Sequence, residues 1–88
     1  MFNGRRSEIE IVGEILKLSL DGTRKTTILY QNNLSYTQLQ KYLSLLLEKK
    51  FLEEIVDGNN GSSYKSYKTT ASGLKLLDDI QKLMSHLY

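Results

Sequence analysis

Seven residues within a ten-residue stretch, Ser35, Tyr36, Thr37, Gln38, Gln40, Lys41 and Ser44, carry side chains suited to hydrogen bonding with base edges and phosphates. A DNA major groove admits one helix, and its base edges present patterned donors and acceptors that Gln, Ser, Thr and Lys can match. Gln38 and Gln40 suit a base edge best, and Lys41 suits a phosphate or a guanine. Upstream, Arg24, Lys25 and Thr26 open a short predicted helix, where free backbone N–H groups and nearby positive charge favour a phosphate. Downstream, Asn59, Asn60, Ser62, Ser63, Lys65 and Lys68 could touch phosphates or an adjacent minor groove. Asp57 opposes such contact and the loop has no arginine, so backbone contact is the expectation there rather than minor-groove reading.

The inventory for catalysis is poor. His86 is the one histidine and lies two residues from the end of the sequence, and there is no cysteine, which excludes a disulfide framework and a thiolate zinc site. Asp78 and Asp79 are adjacent, so on a helix they point in different directions and cannot share a metal. Neither a phosphate-cradling glycine motif nor a nucleophile elbow is present. No enzyme activity, metal, cofactor or small-molecule ligand is therefore expected.

The 88 residues correspond to one domain with a modest core. The formal charge is only +2, yet its distribution is uneven. Arg24, Lys25, Lys41, Lys49 and Lys50 face a single acid, Glu48, in the central stretch, while Glu8, Glu10, Glu14, Asp78 and Asp79 lie towards the two ends. Positive charge thus gathers around the candidate reading segment. No apolar run approaches the roughly 20 residues of a membrane span, and the stretch before Ser7 is too short and polar for a signal peptide, so a cytoplasmic location is expected. Six tyrosines raise the option of stacking on single-stranded nucleic acid. Tyr30, Tyr42 and Tyr67 are better explained by inward packing with an outward hydroxyl, whereas Tyr36 is placed to meet DNA.

The spacing of apolar residues supplies the elements that position these groups. Ile9, Val12, Ile15, Leu16 and Leu20 recur at three- and four-residue steps, which predicts an amphipathic helix over residues 7–20, capped by Ser7 with Glu10 and ended at Asp21 and Gly22. A second helix is predicted over 25–31, with Ile28 and either Leu29 or Tyr30 inward. Asn32 and Asn33 form a turn, Leu34 plugs the angle, and Ser35 with Gln38 caps a third helix over 35–50. Leu39, Leu43, Leu46 and Leu47 form its inner stripe. Residues 52–56 and 64–69 read as strands around a turn-forming loop at 57–63. Thr70 caps a final helix whose seam is Leu74, Leu77, Ile80, Met84 and Leu87, with Leu76 and Leu83 beside it.

Two helices joined by a tight turn, the second polar on its outer face and followed by a hairpin, describe a winged helix-turn-helix. The expected class is α+β, mostly α, with a three-helix core, a two-stranded wing and a long C-terminal helix. Residues 1–69 form the DNA-binding unit, and residues 70–88 a dimerisation helix packed on it. The apolar surface of that helix exceeds what one small domain needs, so Leu76, Leu77, Ile80, Leu83, Met84 and Leu87 are the expected dimer interface. A symmetric dimer would place two reading helices about one DNA turn apart on a pseudo-palindromic site.

Gly22, Lys25, Thr26, Ile28, Asn33, Leu34, Ser35, Tyr36, Tyr42, Leu43, Leu46 and Leu52, continued by Tyr67 and Thr70 to Leu74, resemble an archaeal winged helix-turn-helix family. That family includes small homodimeric DNA-binding proteins with a C-terminal antiparallel coiled coil, and similar proteins are encoded by archaeal viruses. The resemblance implies double-stranded DNA binding as a dimer with the third helix in the major groove. Thr69 departs from the family's usual aliphatic residue, which implies a looser seat for the hairpin. The last helix is also shorter than in the coiled-coil members. The leading expectation is a sequence-specific transcriptional regulator; an architectural chromatin-type protein and a winged helix that binds only protein remain as alternatives.

Overall fold

The computed structural model describes residues 7–58 and 64–87. Helices α1 (Glu8–Leu18), α2 (Lys25–Gln31) and α3 (Tyr36–Glu48) precede a hairpin of β1 (Leu52–Asp57) and β2 (Tyr64–Thr69), and α4 (Ala71–Leu87) follows. The strands pair antiparallel from Leu52 opposite Thr69 to Asp57 opposite Tyr64.

The starts of α1 and α3 are each written in a capping box. At α1 the Glu10 amide donates to Ser7 Oγ at 3.1 Å and the Ser7 amide to Glu10 Oε1 at 3.2 Å. At α3 the Gln38 amide donates to Ser35 Oγ at 3.2 Å and the Ser35 amide to Gln38 Oε1 at 3.0 Å. Each box satisfies two backbone donors that have no partner inside the helix. Between α2 and α3, Asn32 is buried and donates its side-chain amide to the Ile28 carbonyl at 3.0 Å, while Asn33 takes φ 52°. These two asparagines let the chain reverse within a few residues.

Helix α1 ends at Leu18, two residues before the sequence-based boundary, and Leu20 is exposed. The chain leaves early because Thr23 must reach β2. Its amide donates to the Tyr67 carbonyl at 2.9 Å, and the Tyr67 amide returns a bond at 2.7 Å. Gly22, at φ +94°, makes the intervening turn. Helix α3 closes with Lys50 in a left-handed conformation, φ 63°, the Phe51 amide donating to Leu46 and the Lys50 amide to Leu47. That pair of bonds is the Schellman pattern, in which glycine is the usual residue.

The core gathers Ile11, Ile15, Leu16, Ile28, Leu39, Tyr42, Leu43, Leu46, Leu52, Tyr67, Leu77 and Ile80. Full burial of an aliphatic side chain contributes about 1.5 to 3 kcal/mol, so this cluster fixes the angle at which α3 meets α1 and α2. Thr69 corrects the expectation of a loose hairpin. Its buried hydroxyl donates to the Leu16 carbonyl at 2.7 Å and its amide to Ser19 at 2.9 Å, so the end of β2 is bonded to the end of α1. An aliphatic residue would leave the Leu16 carbonyl without that donor. Tyr30 also differs from expectation: it is 78% exposed, while Ile28 takes the inward position of α2. On a helix of two turns the core has room for one stripe, and Ile28 with half-buried Leu29 fills it.

Thr70 joins three segments. Its hydroxyl donates to the Lys50 carbonyl at 2.6 Å and accepts the Gly73 amide at 3.0 Å, which caps α4 and holds it beside the end of α3. Helix α4 then runs along α1. No helix among the described residues is long and apolar enough to cross a membrane.

Candidate nucleic-acid interface

The buried stripe of α3 is Leu39, Tyr42, Leu43 and Leu46. With 3.6 residues per turn, Tyr36, Thr37, Gln40, Lys41 and Ser44 fall away from that stripe, and all five are exposed. Ser35 and Gln38 are exposed as well. The seven residues predicted from the sequence thus lie on one helix, with α2 and the hairpin beside it.

Their side chains are not equivalent. Ser35 and Gln38 exchange bonds in the capping box, so the Gln38 carbonyl oxygen is engaged at the start of the helix. Gln40 keeps its freedom from the backbone and instead donates from Nε2 to the Tyr36 hydroxyl at 3.2 Å. Lys41 reaches the other way, with Nζ 2.8 Å from Glu8 Oε1 on α1. That hydrogen bond, reinforced by the charge of Glu8, raises the Lys41 pKa above the usual lysine value. Both groups are exposed and the pair is screened by solvent, so a phosphate can compete for the ammonium.

Cations from α2 and the hairpin flank this face. The Lys25 ammonium stands 5.5 Å from the centre of the Tyr36 ring, and the Arg24 guanidinium 4.2 Å from the centre of the Tyr64 ring. Arg24, Lys25, Thr26, Lys65 and Tyr67 line one open concavity between the start of α2 and β2. Lys65 also lies 3.8 Å from Glu54 across the hairpin. Cation–aromatic contacts of this kind hold long side chains in place without removing their charge. Sequence reasoning missed Tyr64 and the pairing of Thr23 with Tyr67. The signal was present in the aromatic Tyr64 at the head of a strand and the β-branched Thr23 after a glycine. Asn59, Asn60, Ser62 and Ser63 lie outside the described residues.

Tyr67 sits beneath this concavity. Burial, followed by the nearby charge and hydrogen bond of Glu54, raises its pKa above the usual 10.0. Stability from a group with a raised folded-state pKa is complete below the unfolded value and is lost as pH rises through the folded one. Unfolding free energy should therefore fall above about pH 10, and Tyr67→Phe should flatten that alkaline limb in denaturant titrations at successive pH values.

Helix α4 divides its apolar residues between two tasks. Leu77 and Ile80 are only 7% and 8% exposed, packed in the chain's own core. Of the residues expected in a dimer interface, these two are covered within the chain by α1, which approaches α4 so closely that a Cβ at Gly13 would lie 3.1 Å from Ile80 Cγ2. Leu76 and Met84 are half-buried, whereas Leu74, Leu83 and Leu87 are exposed. Leu83 and Leu76 join Ile9, Val12, Leu45 and Phe51 along an open groove of about 690 Å³ between α1, α3 and α4. Sequence reasoning did not find this groove, since Ile9 and Leu45 each look like isolated outward apolar residues.

Among the described residues no group of three or more His, Cys, Asp or Glu could hold a metal ion. Three helices, a β-hairpin wing and an exposed polar face on the third helix define a winged helix-turn-helix protein. The sequence matches the winged helix-turn-helix family over residues 5–87, and the chain belongs to that family. An uncharacterized protein of Methanocaldococcus jannaschii is 28% identical over 80 residues, covering 90% of this chain and 74% of that protein. The fold is similar to the crystal structure of a PadR family transcriptional regulator from Eggerthella lenta, with a TM-score of 0.75, 18% identity, and coverage of 88% of this chain and 73% of that one. The PcaV transcriptional regulator from Streptomyces coelicolor, solved with its natural ligand, gives a TM-score of 0.74 at 17% identity, over 96% of this chain and 58% of that one. A possible transcriptional regulator from Methanosarcina mazei gives 0.60 at 16% identity, over 94% and 73%.

Proposed function

We propose that this protein is a transcriptional regulator that binds double-stranded DNA sequence-specifically as a homodimer. Its third helix enters the major groove, and its wing lies on the backbone or adjacent minor groove. The observation that carries this reading is the outward face of α3, where Tyr36, Thr37, Gln40 and Ser44 stay exposed while the opposite stripe is fully used by the core. Membership of the winged helix-turn-helix family and the likeness to regulator structures support the coarser half of it, DNA binding in transcription regulation. Arg24, Lys25, Thr26 and Lys65 are the backbone clamps beside that face. Such contacts set register without carrying sequence information.

The dimer half of the proposal rests on the apolar surface left on α4. Leu83 is 42% exposed and continues through half-buried Leu76 into the groove with Ile9 and Leu45. The same helix of a second copy would cover that strip and space two α3 helices about one DNA turn apart. Leu83→Glu leaves the core intact and should convert the dimer to a monomer by light scattering. An unchanged mass would move the interface elsewhere.

Selection of duplexes from a random pool at near-physiological salt tests the whole reading. It should enrich an inverted repeat, preferred over random duplex by roughly 10³ or more. A much smaller ratio would indicate an architectural protein instead, and no salt-dependent binding would leave only a protein-binding role.

A further inference from the structure

Tyr36 and Gln40 sit one helical turn apart on the exposed face of α3, and Gln40 Nε2 donates to the Tyr36 hydroxyl at 3.2 Å. The tyrosine ring is steadied in turn from another element, because the Lys25 ammonium of α2 stands 5.5 Å from its centre. Glutamine on a free helix surface samples many rotamers, whereas tyrosine has two side-chain torsions. The bond therefore transfers the rigidity of the ring to the amide.

The donor used in that bond decides what the amide has left. Of its two N–H donors one is occupied, so Gln40 presents one N–H and one carbonyl oxygen to its surroundings. In the major groove only adenine offers the complementary pair, an N7 acceptor beside an N6 amino donor; guanine offers two acceptors, which would set the Gln40 carbonyl against O6. We infer that Tyr36 is a positioning residue that presets Gln40 to read an adenine, so that each half-site contains one A·T position fixed by this pair. The inference rests on the proposed docking of α3 in the major groove and specifies what is read there.

The remaining candidates on this face do not compete for the role. Gln38 has its carbonyl oxygen in the capping box and Lys41 has its ammonium on Glu8. Thr37 and Ser44 carry single hydroxyls, which can bond to any base and discriminate weakly.

The test begins with the duplex that the wild-type protein enriches, and with variants of that duplex changed one position at a time. Wild type should discriminate adenine from guanine by roughly tenfold to a hundredfold at one position per half-site, the range for a bidentate pair. Gln40→Ala should abolish discrimination at that position alone. Tyr36→Phe keeps the ring and its contact with Lys25 but removes the hydroxyl. It should lower discrimination at the same position by roughly tenfold, while the base preferences at the other positions of the duplex are kept. A merely structural Tyr36 would move every duplex alike. Uniform weakening by Tyr36→Phe, guanine at the enriched position, or unchanged base preference in Gln40→Ala would overturn the inference while leaving the groove docking intact. Failure of wild type to enrich any sequence would overturn both.

Discussion

Gly73→Ala should destabilise the protein by about 3 kcal/mol, visible as a lower urea midpoint with an unchanged slope. A Cβ at this position would run into the Phe51 carbonyl and lie 2.7 Å from Thr69 Cγ2. Neither neighbour can step aside cheaply. The Phe51 carbonyl accepts the Thr70 amide at 3.0 Å, the Phe51 amide is bonded to Leu46, and Thr69 is bonded to both Leu16 and Ser19. Moving the backbone would thus loosen the end of α3, the end of β2 and the cap of α4 together. Alanine's better helix propensity returns less than about 1 kcal/mol in a first turn, so the clash dominates. An equal midpoint for variant and wild type would mean that α4 does not approach Phe51 this closely.

Thr37→Glu should weaken duplex binding by at least about a hundredfold while leaving the melting temperature nearly unchanged, since Thr37 is exposed. The position lies opposite the buried stripe, where the proposed groove brings base edges and, beyond them, two rows of phosphates. A carboxylate there meets like charge in a confined, partly desolvated site, which costs several kcal/mol. Lys82→Gln on α4 makes the same unit change in net charge at an exposed site on the last helix, where Lys82 pairs with Asp78. It should alter affinity by less than about threefold, because salt screens an exposed charge that lies outside the proposed contact face. Equal effects from the two variants would trace the loss to net charge rather than to the face of α3.

Most of the fold can be read locally. Ser7 with Glu10 and Ser35 with Gln38 announce their helix starts because a capping box is complete within four residues. Asn33 and Gly22 mark turns through the conformations they tolerate. What escaped the sequence depends on partners far along the chain. Lys41 looks like a free cation until α1 brings Glu8, 33 residues away, to 2.8 Å. Leu77 and Ile80 are indistinguishable by periodicity from Leu83 and Leu87, and only the crossing of α1 over α4 separates a core leucine from a surface one. Thr69 reads as a weak point beside an aliphatic side chain, and the Leu16 carbonyl that receives its hydroxyl is invisible until the hairpin is folded.

The candidate site shows the same division. The membership of Tyr36, Thr37, Gln40 and Ser44 in one outward stripe follows from helical period alone, and the structure places all four at the surface. The division of labour among them does not. Gln38 and Gln40 are the same residue type two positions apart, yet one completes a helix cap and the other bonds a tyrosine. That difference arises from backbone geometry at the N-terminus of α3, which gives the third helical position a donor to meet and the fifth none.

The most direct measurement is a titration of isotope-labelled protein with the selected duplex, followed by amide chemical shifts. The largest changes are expected at Thr37, Gln40 and Ser44, smaller ones at Arg24, Lys25 and Lys65, and little along the outward side of α4. Changes confined to α4 and the groove beside Leu45, with the N-terminal turns of α3 undisturbed, would contradict the docking of α3 in the major groove.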